Sequence, residues 1–148
     1  MDLVHEPAAD AIVAAVDGSP SSVDALRWAV QQARLTGHPL HVISCWQTLE
    51  NYSLAETDIP DSIFRDKAEV SLRNALEEVD TAGLSLLAVK EHGYPPQVLI
   101  EASRYASLLV MGSRGHGGFV GMLLGSVSQH CVAHAHCPVV VIRHQTEE

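Results

Sequence analysis

Basic residues and cysteines are few in this sequence of 148 residues. Lys and Arg number 9 against 18 Asp and Glu, which gives a formal net charge of -9. Because nucleic-acid backbones are bound by basic surfaces, we expect no nucleic acid as a partner. No apolar run approaches the roughly 18 residues of a spanning helix, so we expect no membrane contact. Three cysteines without a C-x-x-C pair give no disulfide framework and are typical of a reducing compartment.

A secretory signal is also missing from the start of the sequence. Residues 1–6 have neither the basic start nor the apolar stretch of such a signal, and we expect a cytoplasmic protein. The length suits one domain built around one core. We therefore predict a single domain over residues 1–148, with residues 1–9 as a flexible tail.

Acidic residues are absent from one long segment, residues 102–146. Arg104, Arg114, Arg143 and five histidines fall within it. An acidic protein that keeps its carboxylates away from one segment favours a small anion there over a polyanion. Chance unevenness of the charge is the alternative interpretation.

The acid-free segment contains a glycine-rich stretch, residues 111–128, directly after an apolar run. Its spacing is Gly112-x2-Gly115-x9-Gly125-Ser126. An apolar strand, a glycine-rich loop and a helix that opens at Gly125-Ser126 form an anion cradle, and the expected anion is phosphate. The stretch lacks the Gly-Lys-Ser/Thr ending of a P-loop and the tight G-x-G-x-x-G of a dinucleotide fold.

Apolar runs alternate with helical spacings along the chain. Ser21 with Asp24 resembles a capping box for the first helix, Asp61 or Ser62 should cap the second, and Gly83 should end it. This alternation predicts an α/β fold, a doubly wound parallel sheet with helices on both faces. The predicted strands are residues 11–16, 39–46, 84–90, 107–111 and 139–143, and the helices begin near residues 22, 62, 96 and 126. Residues 47–60 show no period and are interpreted as a loop.

The chain resembles the universal stress protein family, specifically its ATP-binding branch. The resemblance rests on a first strand that ends in Val16-Asp17-Gly18-Ser19, a Gly93-x-Pro95 loop, the G-x2-G-x9-G-[ST] spacing and a closing apolar run, residues 137–142. It implies a Rossmann-like five-stranded sheet of order 3-2-1-4-5. Ligands of such sheets bind beyond the strands' carboxyl ends where the order reverses, here between strands one and four. The implied ligand is ATP, with Mg²⁺ or Mn²⁺ on its phosphates.

Asp17 and the glycine motif carry the predicted site. The Asp17 carboxylate could accept from ribose hydroxyls or approach the phosphates through a divalent cation, or it could cap the first helix. A phosphorylated aspartate would need neighbouring acids and a lysine, which the sequence does not place beside Asp17. Adenine is expected near Val42-Ile43 in strand two. The predicted nucleotide-binding residues are Ala15, Val16, Asp17, Val42, Ile43, Met111, Gly112, Ser113, Arg114, Gly115, His116, Gly125, Ser126, Val127 and Ser128.

Two other features need separate interpretation. Tyr94 stands where the family often has Asp or Asn, so the contact of that position cannot be transferred. His130 and His134 lie one helical turn apart, in a run that also holds Cys131, His136 and Cys137. A structural zinc site normally draws four ligands from two segments, so we predict no metal there.

The family resemblance implies a stress-response regulator that holds ATP, and the sequence shows no evident catalytic machinery. Only Arg114 and His116 could assist hydrolysis, so we expect at most a slow ATPase. The alternatives are an adenylate sensor that prefers AMP or cyclic AMP, and an ATP-independent dimeric interaction or chaperone-like protein. The apolar residues 139–142 would lie at the sheet edge in the implied order, and we predict a homodimer through this C-terminal strand. The family resemblance implies the same dimer.

Overall fold

A computed structural model of the chain describes residues 3–47, 60–114 and 124–144. Strands and helices alternate through these residues as the sequence predicts, with boundaries shifted by a few residues at most. The elements are β1 (Ile12–Ala15), α1 (Pro20–Thr36), β2 (Leu40–Trp46), α2 (Asp61–Glu78), β3 (Leu86–His92), α3 (Pro95–Ala102), β4 (Leu108–Gly112), α4 (Ser126–His134) and β5 (Val139–Ile142). Among the residues that the structure describes, no helix is long and apolar enough to cross a membrane.

The five strands form one parallel sheet in the order β3-β2-β1-β4-β5. The central strand, β1, pairs with β2 through Ala15 opposite Ile43 and with β4 through Ala14 opposite Val110. The predicted doubly wound sheet of order 3-2-1-4-5 is therefore confirmed. The strand order reverses between β1 and β4, and in open sheets of this kind ligands bind beyond the carboxyl ends of the strands at such a point.

Helices cover both faces of this sheet. One face of β1, with Ile12 and Ala14, packs against α1 and α2. The opposite face, with Val13 and the neighbouring Leu109, packs against α3 and α4. Because β1 is buried on both sides, its residues are apolar throughout and show no alternation.

The start of α1 differs from the predicted capping box. Ser19, not Ser21, is the N-cap, and its hydroxyl accepts from the Ser22 backbone N–H at 3.3 Å. Pro20 then occupies the first helical position, where its missing N–H costs nothing and its fixed φ suits a helix. At the other end Gly37 closes the helix in the left-handed region at φ 77°.

The ends of α2 also differ from the sequence prediction. The helix begins at Asp61 after Pro60, and no side chain caps it. The negative charge of Asp61 in the first turn still complements the helix dipole. At the other end Val79 is already extended, and Gly83, at φ 80°, belongs to the turn that follows. The prediction that Gly83 ends this helix was wrong because the chain leaves the helix four residues earlier.

Candidate functional site

The turn after β1 brings Asp17 to the carboxyl edge of the sheet. Its carboxylate Oδ1 accepts from the backbone N–H of Ser19 at 2.9 Å and from the Ser19 hydroxyl at 2.5 Å. Gly18, at φ 86°, provides the sharp turn that makes these contacts. Asp17 therefore supports the N-cap of α1 without being the cap itself. Its other carboxylate oxygen, Oδ2, has no partner among the described residues and is open to a ligand.

The end of β4 is attached to the first turn of α1. The Ser21 hydroxyl donates to the Arg114 carbonyl at 2.5 Å, and the Ser19 hydroxyl lies 3.4 Å from the same oxygen. The approach is so close that a Cβ on Gly112 would lie 2.8 Å from the Ser21 backbone carbonyl carbon. The first glycine of the motif is thus required by packing between β4 and α1, whatever the ligand.

The beginning of α4 is attached to the same strand end. The Gly125 N–H donates to the Ser113 carbonyl at 2.6 Å. The buried Ser128 hydroxyl donates to that carbonyl at 2.9 Å and lies 3.3 Å from the Gly112 carbonyl. Gly125 has φ -74° and ψ 171°, an ordinary extended conformation. Gly125 therefore begins the helix without adopting the left-handed conformation that a glycine-rich loop suggests.

The start of α4 carries partial positive charge. The first backbone N–H groups of a helix lack intrahelical partners, and the helix dipole places partial positive charge there. Ser126, the first residue of α4, is exposed, and its hydroxyl has no partner within the described part of the chain. The guanidinium of the half-exposed Arg114 makes no ion pair with any described carboxylate. Two further predicted residues, Gly115 and His116, lie outside the described residues.

The predicted adenine position is closed. Val42 and Ile43 are 0% and 1% exposed, and they pack into the cores on opposite faces of the sheet. Their backbones lie between β1 and β3, and the Ile43 carbonyl accepts from the Val16 N–H at 2.9 Å. Neither residue offers a free side chain or backbone group to a base.

Cys45, a half-buried residue of β2, lies just beyond the end of β1. Backbone groups alternate between the two neighbouring strands, so Cys45, like Ile43, directs its N–H and C=O toward β1. However, β1 ends at Ala15, opposite Ile43, and Cys45 lies beyond that end. Sequence reasoning missed this residue because the offset between the two strands is not visible in the sequence.

Four other predicted residues lie near the carboxyl ends of β1 and β4 and pack into the two cores. Ala15 is half-buried at the end of β1, and Val16 packs into the core under α1 and α2. Met111 packs into the core under α3 and α4, where the half-buried Val127 joins it. These apolar side chains hold the strand ends together and offer no polar group to a ligand.

The sequence matches a known protein family over most of its length. The family model described as the universal stress protein family matches residues 9–143. The chain belongs to this family. Among its relatives, the Mycobacterium tuberculosis universal stress protein Rv2624c is 33% identical over 148 residues, covering 97% of this chain and 52% of its own length. Rv2623 of the same species is 33% identical over 139 residues, covering 88% of this chain and 46% of its own length. The chain thus spans about half the length of these curated relatives.

Solved structures of universal stress proteins share the fold. A universal stress protein in complex with cAMP superimposes with a TM-score of 0.70 at 24% identity, covering 94% of this chain and 100% of its own. The Archaeoglobus fulgidus universal stress protein in complex with dAMP superimposes with a TM-score of 0.65 at 24% identity, covering 90% of this chain and 95% of its own. The hypothetical protein MJ0577 has the same fold, with a TM-score of 0.74 at 19% identity, covering 93% of this chain and 98% of its own.

The histidine and cysteine run of this universal stress protein is dispersed in space. Cys131 is fully buried in the core, while His130 and His134 are exposed, with ring centroids 6.5 Å apart. Tyr94, the departure from the family pattern, contacts the His130 ring edge-on at a centroid distance of 6.5 Å. Within the described residues, no group of three or more His, Cys, Asp or Glu side chains is arranged to hold a metal ion.

Proposed function

We propose that this universal stress protein binds an adenine nucleotide, ATP in the first place, in the crevice between β1 and β4. One observation carries the proposal. The first turn of α1 and the first turn of α4 are both hydrogen-bonded to residues 112–114 at the end of β4. The Asp17 turn and the positive end of α4 are therefore attached to one strand end at the switch point of the sheet.

Each part of the nucleotide has a matching group in this proposal. The phosphates lie at the first turn of α4, where backbone N–H groups, the Ser126 hydroxyl and the Arg114 guanidinium donate to their oxygens. The free Oδ2 of Asp17 accepts from the ribose or binds a phosphate-bound Mg²⁺ or Mn²⁺. The N–H and C=O of Cys45 bind the edge of the base. Gly115 and His116 remain predicted phosphate contacts of the same loop.

Adenine is favoured as the base because two structural relatives were solved with adenine nucleotides, cAMP and dAMP. Both are monophosphates, so AMP or cyclic AMP remains the alternative ligand. Efficient hydrolysis would need a positioned base and a pair of metal-binding acids. Asp17 is the one carboxylate among the residues that we propose to bind the nucleotide, and we therefore propose a binding protein with at most slow ATPase activity.

Assembly of two copies through β5 is the second part of the proposal. The four residues of β5 are half-buried and apolar, and β5 is an edge strand of the described sheet. The carbonyls of Pro138 and Ile142 face β4, since they accept from Leu109 and Ser113. By alternation, Val139 and Val141 direct their backbone groups outward. Pairing with the same strand of a second copy satisfies these groups in a closed two-fold dimer.

The ligand is tested by the mass of any nucleotide released when the purified protein is denatured. Calorimetric titration with ATP, AMP and cyclic AMP, each with and without Mg²⁺, then ranks the affinities. Tightest binding of ATP supports the first ligand, and tightest binding of a monophosphate supports the adenylate sensor. No binding of any of the three would overturn the proposed function and favour the ATP-independent interaction protein.

A further inference from the structure

The N-terminal segment before β1, residues 3–10, crosses the sheet face on the side of α3 and α4. We call it the N-terminal strap. At one end the Asp10 N–H donates to the Tyr105 carbonyl at 3.0 Å, near the amino edge of the sheet. At the other end His5 contacts Glu91, next to the last residue of β3. The strap, which the sequence suggested to be a flexible tail, thus ends at the edge that carries the nucleotide crevice.

Glu91 is the attachment point of the strap. Its side chain is only 2% exposed. Oε1 accepts from the His5 backbone N–H at 2.8 Å and contacts His5 Nδ1 at 3.3 Å, while Oε2 accepts from the Val4 backbone N–H at 3.3 Å. Each of these partners belongs to the strap. A carboxylate removed from water needs such donors, so the strap and Glu91 stabilise each other.

The attachment point adjoins the proposed base-binding residue. Glu91 lies opposite Cys45 in the β2–β3 register. The Cys45 side chain and Leu3 of the strap pack against the same core. The strap therefore supports, from the α3 and α4 face, the strand ends whose Cys45 backbone groups are proposed to bind the base.

We propose that the N-terminal strap regulates the nucleotide site. With the strap attached to Glu91, the ends of β2 and β3 are held in the conformation that binds the base. With the strap released, Glu91 loses these donors and Leu3 leaves the core, the strand ends relax, and the affinity for nucleotide falls. This inference rests on the proposed function. Because linkage is reciprocal, bound nucleotide also slows release of the strap.

A matched pair of variants at His5 tests the coupling. His5→Pro removes the backbone N–H that donates at 2.8 Å, whereas His5→Ala keeps that N–H and removes only the imidazole. Hydrogen exchange of the Val4 amide reports strap attachment without any nucleotide. Calorimetry with ATP, AMP and cyclic AMP reports the site. Glu91→Gln is the second route to release, since it removes the charge at nearly constant volume.

We expect the Val4 amide to exchange about tenfold faster in His5→Pro than in His5→Ala. Nucleotide affinity should fall about fivefold or more in His5→Pro and in Glu91→Gln, but stay near that of the unmodified protein in His5→Ala. Faster exchange with unchanged affinity in both releasing variants overturns the coupling alone. Unchanged exchange in both overturns the strap. If the unmodified protein binds no nucleotide, the proposed function and the coupling are both overturned. The exchange data still test, independently of nucleotide, whether the strap is attached to Glu91.

Discussion

Gly112 in β4 and Ser21 in α1 are packed so closely that no side chain fits between them. A Cβ on Gly112 would stand 2.8 Å from the Ser21 backbone carbonyl carbon. That atom belongs to the main chain and cannot rotate away. The first glycine of the G-x2-G-x9-G-[ST] spacing is therefore required by the packing of a strand against a helix, whatever the ligand.

Gly112→Ala should destabilise the protein by about 1–3 kcal/mol, because a methyl group is forced against backbone. Thermal unfolding would show this as a melting temperature lower by several degrees. The double variant Gly112→Ala with Ser21→Ala should remain destabilised, because the Ser21 main chain still blocks the methyl group. Full recovery in the double variant would show that the serine side chain is the whole obstacle.

Asp17 can be tested with two substitutions that separate its charge from its hydrogen bonds. Asp17→Asn keeps an oxygen that accepts from the Ser19 N–H and hydroxyl, so the melting temperature should change little. Loss of the charge should weaken Mg²⁺-dependent ATP binding about tenfold, equivalent to about 1.4 kcal/mol. Asp17→Ala loses both features and should lower stability and affinity together. Normal affinity in Asp17→Asn would restrict Asp17 to the support of the α1 cap.

Ser126 and Ser128 form a matched pair on α4, one exposed and one buried. Ser126→Ala should weaken nucleotide binding several-fold with an unchanged melting temperature, because its hydroxyl faces the solvent at the helix start. Ser128→Ala leaves the Ser113 carbonyl with one donor fewer and should cost about 1 kcal/mol of stability. Calorimetry and thermal unfolding of both variants give the comparison. The reverse pattern would move the phosphate contact from Ser126 to Ser128.

The kinds of elements and their order could be predicted from the sequence, because buried parallel strands need unbroken apolar runs and helices need a 3.6-residue period. The strand order came from the family resemblance and was confirmed. The residues that cap the helices were harder to predict. Ser19 and Ser21 are both suitable caps, and the decision depends on the Asp17 carboxylate, a contact that exists only in the folded turn.

The positions of the predicted site residues agree with the structure where they follow strand ends and differ where they depend on register. Asp17 follows β1 at the carboxyl edge of the sheet as expected, but Val42 and Ile43 are enclosed because Ile43 pairs with the last residue of β1. The strap gave no sequence signal, since residues 3–10 show no hydrophobic period. Glu91 could have been noticed as a carboxylate in a strand whose neighbour on the same face, Val89, is buried.

His41 should make stability depend on pH. It is 2% exposed, its Nε2 has no hydrogen-bond partner in the described structure, and burial lowers its pKa below the ordinary 6.5, with the Glu91 charge opposing this shift. Above pH 6.5 the imidazole is neutral both folded and unfolded. As the pH falls below 6.5 the unfolded chain takes up a proton that the folded protein refuses, so stability decreases.

His41→Leu should remove this contribution. Between pH 7 and pH 5, the free energy of unfolding should fall less steeply in the variant than in the unmodified protein. Denaturant unfolding at several pH values measures the difference between the two pH dependences. The contributions of the other histidines cancel because both proteins contain them. Parallel pH profiles would mean that His41 takes up its proton equally in both states.

Proline substitutions in β5 can distinguish its outer edge from its inner edge. The Val141 N–H points away from β4, whereas the Val140 N–H points toward it. Val141→Pro should therefore preserve the monomer fold and shift the proposed dimer toward monomer, because one hydrogen bond across the two-fold interface is lost. Val140→Pro should instead lower the melting temperature by disrupting the β4–β5 ladder. Light scattering and thermal unfolding measure the two effects. A monomeric unmodified protein at micromolar concentration would refute the dimer, and an unchanged dimer in Val141→Pro would place the interface on another surface.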